Sequence, residues 1–229
     1  MSNLKNSIKT NAYLALNPII SVLSKTGITP NIITTIGLFI NILSSVILII
    51  GAEFGERGDF RYIAWSGITL LFAGVFDMID GQLARTTKKT SDFGALYDSV
   101  LDRYSEMIMF FGICYYLVSY HYFLSSVFAF IAMIGSIMVS YVRARAEGLN
   151  IECKVGMMQR PERVVLIGLS AILCGVLSFW IGNFKFTVDW LAIPLFESIS
   201  VFTIPIFVLA LLTNYTALQR LNHCYKKMK

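Results

Sequence analysis

Charge is scarce in this chain. Only 14% of its 229 residues are Asp, Glu, Lys or Arg, against 56% hydrophobic. A soluble domain of this length needs a larger charged surface, and the mean hydropathy of +0.67 places the chain in the membrane class. Histidine is nearly absent, with two residues, and the four cysteines, Cys114, Cys153, Cys174 and Cys224, have no paired spacing. A disulfide framework and a Cys/His zinc site are therefore excluded, and the cysteines read as packing residues. Repeats, linkers and low-complexity runs are also missing, which leaves one membrane domain over residues 1–229, with 1–28 as a juxtamembrane segment. No nucleic-acid partner is expected. The net charge of +5 suits an anionic leaflet or an anionic substrate instead.

Long apolar runs are what the chain has in abundance. About 20 helical residues cross a hydrocarbon core of about 30 Å, and runs of that order extend from Asn31 to Ala52, Tyr62 to Arg85, Asp92 to Tyr120, Phe123 to Ala146, Pro161 to Gly182 and Trp190 to Leu221. Unpaired backbone groups are too costly in lipid for anything but helices or a closed barrel. The ten-residue alternation of a barrel is not seen. The expectation is an all-α polytopic membrane protein with six transmembrane helices. No signal peptide is expected; Leu4 to Leu23 reads as an amphipathic helix on the membrane surface. Of the 19 basic residues, all but Arg57, Arg61, Lys185 and Arg103 fall in or beside the N-tail, the second and fourth connections and the C-tail. The positive-inside rule then puts both termini on the cytoplasmic side of the cell membrane.

Against that apolar background stands "DMIDGQLARTTKKTSDFGALYDSVLD", residues 77–102. Asp77, Gly81 and Ala84/Arg85 fall on one face of the second span, and Gly94, Asp98 and Asp102, spaced by four, form one stripe of the third. The basic loop Thr86 to Ser91 joins the two as a hairpin, so the acidic faces can converge. Carboxylates at a membrane boundary repel each other and resist dehydration, at about 2.5–3.5 kcal/mol for a mid-helix aspartate. A compensating cation is required, and an oxygen-only ligand set favours Mg²⁺ or Mn²⁺ shared with phosphate oxygens. Solvated helix-end charges are the bland alternative, but the same facial geometry occurs twice with glycines interleaved.

Asp77-x₂-Asp80-Gly81-x₂-Ala84-Arg85-x₈-Gly94-x₃-Asp98-x₃-Asp102 resembles the full signature of the CDP-alcohol phosphotransferases, and the six-span architecture agrees along nearly the whole chain. The resemblance implies transfer of the phosphatidyl group of a CDP-linked lipid such as CDP-diacylglycerol to an alcohol, with release of CMP. It implies metal binding by Asp77, Asp80, Asp98 and Asp102, with Asp102 also the general base. Asn31, Gly81, Ala84, Arg85, Thr90, Ser91 and Gly94 would line the CDP-lipid site. A homodimer is implied too.

The acceptor is addressed by "SYVRARAEGLNIECKVGMMQRPERVVL", residues 140–166. Its basic pairs, Arg143 with Arg145 and Arg160 with Arg163, end one span and begin the next on the side of the aspartates, and Arg220 can reach the same level. Guanidinium groups hold phosphate by paired hydrogen bonds, yet positive-inside anchors would look the same. The run is similar to that of the prokaryotic phosphatidylinositol phosphate synthases, which implies L-myo-inositol 1-phosphate as acceptor, held by Arg143, Arg163 and Arg220. The chain departs from that pattern with arginine at 143, where lysine is frequent, and Gln159, where glutamate is. A glycerol 3-phosphate acceptor would equally want arginines. An intramembrane prenyltransferase and an ion-coupled transporter are the readings outside the family.

Overall fold

A computed structural model of the protein describes residues 16–87, 90–187 and 196–229. Residues 16–26 form a first helix, α1. It is followed by α2 (Pro30–Phe54), α3 (Arg61–Thr86), α4 (Asp92–Ser119), α5 (Phe123–Glu147), α6 (Arg160–Ile181) and α7 (Ser200–Met228). A two-residue antiparallel ladder, β1 (Lys185–Phe186) with β2 (Phe196–Glu197), precedes α7.

The long helices close into a ring. α2 packs on α3 and α4, α3 on α6, α6 on α7, α7 on α5, and α5 on α4. The core at its centre is built from large side chains such as Phe110, Tyr116, Ile113 and Phe202, each at most 1% exposed. Between helices the approach is set by small residues, as expected where lipid removes the hydrophobic drive for helix association. A methyl group on Gly168 of α6 would come within 2.6 Å of Leu71 of α3, and one on Gly112 of α4 within 2.9 Å of the Ser45 backbone of α2. Several polar groups inside the ring are satisfied locally: Ser44 Oγ reaches the Ser66 carbonyl at 2.9 Å, and Ser45 Oγ donates to the Ile108 carbonyl at 2.6 Å.

Three expectations change. Five of the six long helices are long and apolar enough to cross a membrane; α4 is not among them, because Asp92, Asp98, Asp102, Arg103 and Glu106 charge its first half. Six apolar spans become five plus an amphipathic α4, whose buried positions begin at Ser105 and Glu106. The last helix starts at Ser200 and not at Trp190, since the ladder takes up the preceding chain; Trp190 lies outside the described residues. Helix α1, the described part of the amphipathic segment, packs on protein: Leu16 and Ile20 are buried with Ile33, Ile79 and Leu83, and Gln82 Nε2 donates to Asn17 Oδ1 at 2.7 Å. Residues 1–15 of that segment, with Lys88 and Lys89, lie outside the described residues. All four cysteines are free, as the sequence suggests.

Candidate active site

Both acidic stripes arrive where the spacing puts them. The last turns of α3 carry Asp77, Asp80, Gly81 and Ala84, and the first turns of α4 carry Gly94, Asp98 and Asp102. The turn into α4 is fixed by its N-cap, Ser91, whose hydroxyl accepts from the Gly94 amide at 3.0 Å, a bond that satisfies one of the orphan donors of the first turn.

Arg160 stands between the two stripes. Its Nη1 lies 2.6 Å from Asp77 Oδ2 and 2.8 Å from Asp102 Oδ1, so one guanidinium nitrogen joins α3, α4 and α6. Asp80 is 6% exposed, and its Oδ2 has no hydrogen-bond partner among the described residues. An unpartnered buried carboxylate oxygen costs about 1–3 kcal/mol or more, so the pocket around Asp80 is incomplete without a donor or a cation. Among the described residues no three Asp, Glu, His or Cys side chains stand close enough to share one ion. The Arg160 guanidinium lies between Asp77 and Asp102.

Two cavities flank this cluster. The smaller, about 150 Å³, is lined by Pro30, Asn31 and Thr34 of α2, Asp80, Gly81 and Ala84 of α3, and Thr90, Ser91, Gly94, Ala95 and Asp98 at the start of α4. Every residue expected in the CDP-lipid site is here except Arg85. Arg85 Nε donates to the Gly81 carbonyl of its own helix at 2.9 Å, and the side chain is not part of this lining. The glycines leave room: a methyl group on Gly94 would sit 3.1 Å from Ser91 Oγ and 3.4 Å from Asn31 Oδ1.

The larger cavity, about 350 Å³, contains Asp98, Asp102, Arg143, Gln159, Arg160, Arg163 and Arg220 in its wall. Its three expected arginines converge, but they are held very differently. Arg163, fully buried, donates through Nε and Nη2 to the two oxygens of Glu106 at 2.7 and 2.9 Å and through Nη1 to the Met158 carbonyl at 2.7 Å. Arg220, 3% exposed, donates to the carbonyls of Val155 and Val139. Arg143 is exposed and pairs with Glu147 at 2.9 Å, one turn away. Arg163 and Arg220 thus also pin the loop between α5 and α6. That loop turns through positive φ at Gly156 and Met158, and a methyl group on Gly156 would strike Thr216 Cγ2 at 2.3 Å.

In the sequence Arg160 is only half of a basic pair, and Glu106, one turn beyond Asp102, has Arg103 and Arg145 as its candidate partners. Glu106 pairs with Arg163 instead, while Arg103 donates to Ser99 on its own helix. A signal for both was present. Glu106 extends the four-residue spacing of the α4 stripe, and Gln159 with Glu162 forms a capping box that starts α6 at Arg160, which places that side chain at the mouth of the helix.

With this geometry in place the family can be stated. Residues 27–197 match the family model described as CDP-alcohol phosphatidyltransferase. The chain belongs to this family. It is similar to the archaetidylinositol phosphate synthase of Methanothermobacter thermautotrophicus, 35% identical over 165 residues that cover 72% of each chain. It is also similar to the phosphatidylinositol phosphate synthase of Mycobacteroides abscessus, 31% identical over 160 residues and 69% of each chain. Among solved structures, the phosphatidylinositol phosphate synthase of Mycobacterium tuberculosis with CDP-DAG bound superposes with a TM-score of 0.69 at 24% identity, covering 91% of this chain and 92% of that one. That likeness is one of fold. Family and fold together make the chain a multi-pass membrane phosphatidyltransferase.

Proposed function

We propose that this enzyme transfers the phosphatidyl group of CDP-diacylglycerol to L-myo-inositol 1-phosphate at the cytoplasmic face of the cell membrane, forming phosphatidylinositol phosphate and CMP. One observation carries the reading: Asp98 and Ala95 belong to the walls of both cavities. A donor in the glycine-lined nook and an acceptor in the arginine-lined cavity would meet across that wall, beside Asp102. The kind of acceptor is suggested by the relatives named above, whose own names specify inositol phosphate products, and by a cavity wall of five arginines.

The donor's cytidine diphosphate takes the small cavity. There Gly81, Ala84 and Gly94 admit its close approach, and Asn31, Thr90 and Ser91 supply polar contacts. In the larger cavity, Arg143, Arg163 and Arg220 orient the acceptor phosphate. Asp102 accepts the proton of the attacking hydroxyl; the new bond forms between that oxygen and the phosphorus bearing the diacylglycerol, and the bond to CMP breaks. Such transfer depends on positioning and on neutralising developing charge. The buried unpartnered Oδ2 of Asp80 and the oxygen-only donors Asp77, Asp98 and Asp102 fit a hard divalent ion, for which we propose Mg²⁺. When bound it supplies charge neutralisation at the diphosphate.

The decisive assay offers purified protein CDP-diacylglycerol and Mg²⁺ with L-myo-inositol 1-phosphate, glycerol 3-phosphate or free inositol in separate reactions, and measures CMP. Release with inositol phosphate alone is the expected result. Release with glycerol 3-phosphate at equal or greater efficiency would reassign the acceptor. A homodimer is part of the same proposal, and a monomeric mass in native mass spectrometry would remove it.

A further inference from the structure

The first turn of α6 delivers two guanidinium groups one turn apart, and α4 presents two carboxylates one turn apart. They meet in register, Arg163 with Glu106 and Arg160 with Asp102. The rungs differ in kind. The inner one is sealed, with side chains 1% and 2% exposed, and uses two nitrogens on two oxygens. The outer one borders the cavity, with side chains 19–25% exposed, and a single nitrogen serves both Asp77 and Asp102. Arg160 Nε is buried without a partner among the described residues. The planar fork that makes arginine a strong carboxylate ligand is therefore not used here; Arg160 acts as a point charge.

A point charge of one unit, shared by two carboxylates of different helices, occupies ground that a divalent ion would contest. The same contact engages Asp102 Oδ1, the oxygen of the group that must accept a proton. While Arg160 holds it, that oxygen faces a donor.

We propose that Arg160 is a resident counter-cation of the acidic cluster, which a divalent metal displaces from Asp77 and Asp102, turning its guanidinium into the adjoining cavity to take the acceptor's phosphate. This deepens the reading of the site given above and rests on it. Displacement makes acceptor binding conditional on metal loading. By linkage, the acceptor strengthens metal binding by the same factor. It also releases Asp102 from Arg160 only when the cluster is loaded.

The test uses the full-length detergent-solubilised protein and its Arg160→Gln and Arg160→Lys variants, with folding checked by thermal denaturation. Mn²⁺ affinity is read by electron paramagnetic resonance. Binding of L-myo-inositol 1-phosphate is read by calorimetry with and without Mg²⁺. Wild type should bind the acceptor about tenfold or more tightly with Mg²⁺, within the usual range of coupling between sites. Arg160→Gln should bind Mn²⁺ more tightly, lose acceptor affinity in Mg²⁺, and keep the metal-free acceptor affinity of wild type. Arg160→Lys, which keeps the charge, should fold as wild type and retain part of the coupling. Equal acceptor losses with and without Mg²⁺ would make Arg160 a fixed phosphate ligand and overturn the proposal; so would unchanged acceptor binding or unchanged Mn²⁺ affinity. If wild type binds no Mn²⁺, or Asp98→Asn binds it as well as wild type, the reading of the acidic cluster itself fails, whatever Arg160 does.

Discussion

Glu106→Gln is the perturbation that separates a structural Arg163 from a phosphate-binding one. Both Glu106 oxygens accept from Arg163, at 2.7 and 2.9 Å, and neither side chain is more than 2% exposed. Glutamine keeps the shape but presents an amide donor to a guanidinium donor and leaves the charge uncompensated. Breaking one partner of a buried pair costs about 3–5 kcal/mol, whereas replacing both with apolar groups of like volume is often neutral. At about 2–4 °C per kcal/mol for a chain of this size, Glu106→Gln should lower the detergent-phase melting temperature by about 6–20 °C. The double variant Glu106→Leu with Arg163→Met should recover most of that loss. Turnover then decides the role: if Arg163 also holds the acceptor's phosphate, the refolded double variant keeps its KM for CDP-diacylglycerol but has a greatly raised KM for the acceptor. A shift in melting temperature of under about 3 °C for Glu106→Gln would refute the buried-pair reasoning. A double variant with normal acceptor KM would leave Arg163 a purely structural residue.

Other substitutions probe other parts of the site. Asp102→Asn should cut turnover by about 10²–10⁴-fold, the usual contribution of a general base, with an unchanged melting temperature; near-normal rates would move the base elsewhere. Gly168→Ala should cost about 1–3 kcal/mol by overpacking against Leu71 and, by pushing α6 from α3, lower activity as well; a variant as stable as wild type would contradict the close contact. Arg143→Ala removes an exposed pair with Glu147 worth less than about 1 kcal/mol, so denaturation should not register it while the acceptor KM rises. Removal of divalent ions with a chelator should abolish CMP release, and an enzyme fully active in chelator would contradict the role given to the four aspartates.

The helix periodicity was enough to place Asp77 with Gly81 and Asp98 with Gly94 and Asp102, because residues three or four apart on a helix share a face whatever the helix packs against. The same rule placed most span ends within a few residues, since apolar length and punctuation by Pro30, Pro161 and Gly182 are local properties. It failed where a boundary was set by pairing at a distance: the β1–β2 ladder moved the start of α7 to Ser200. It also overstated α4, whose charged first half was counted as span because its second half is apolar.

The sequence by itself determined the membrane class, from composition and apolar length, and the two acidic stripes, from spacing along two helices joined by a short loop; its resemblance to a known family implied the family and, Arg85 apart, the residues expected at the small cavity. Only the tertiary structure decided which cation meets which carboxylate. Arg160 lies 58 residues beyond Asp102 and reaches it because the ring sets α6 against α3, which brings the start of α6 within side-chain reach of α4, an outcome set by close contacts such as Gly168 on Leu71. Charge pairing across such separations depends on distances of a few ångströms, and no periodicity within a helix encodes them.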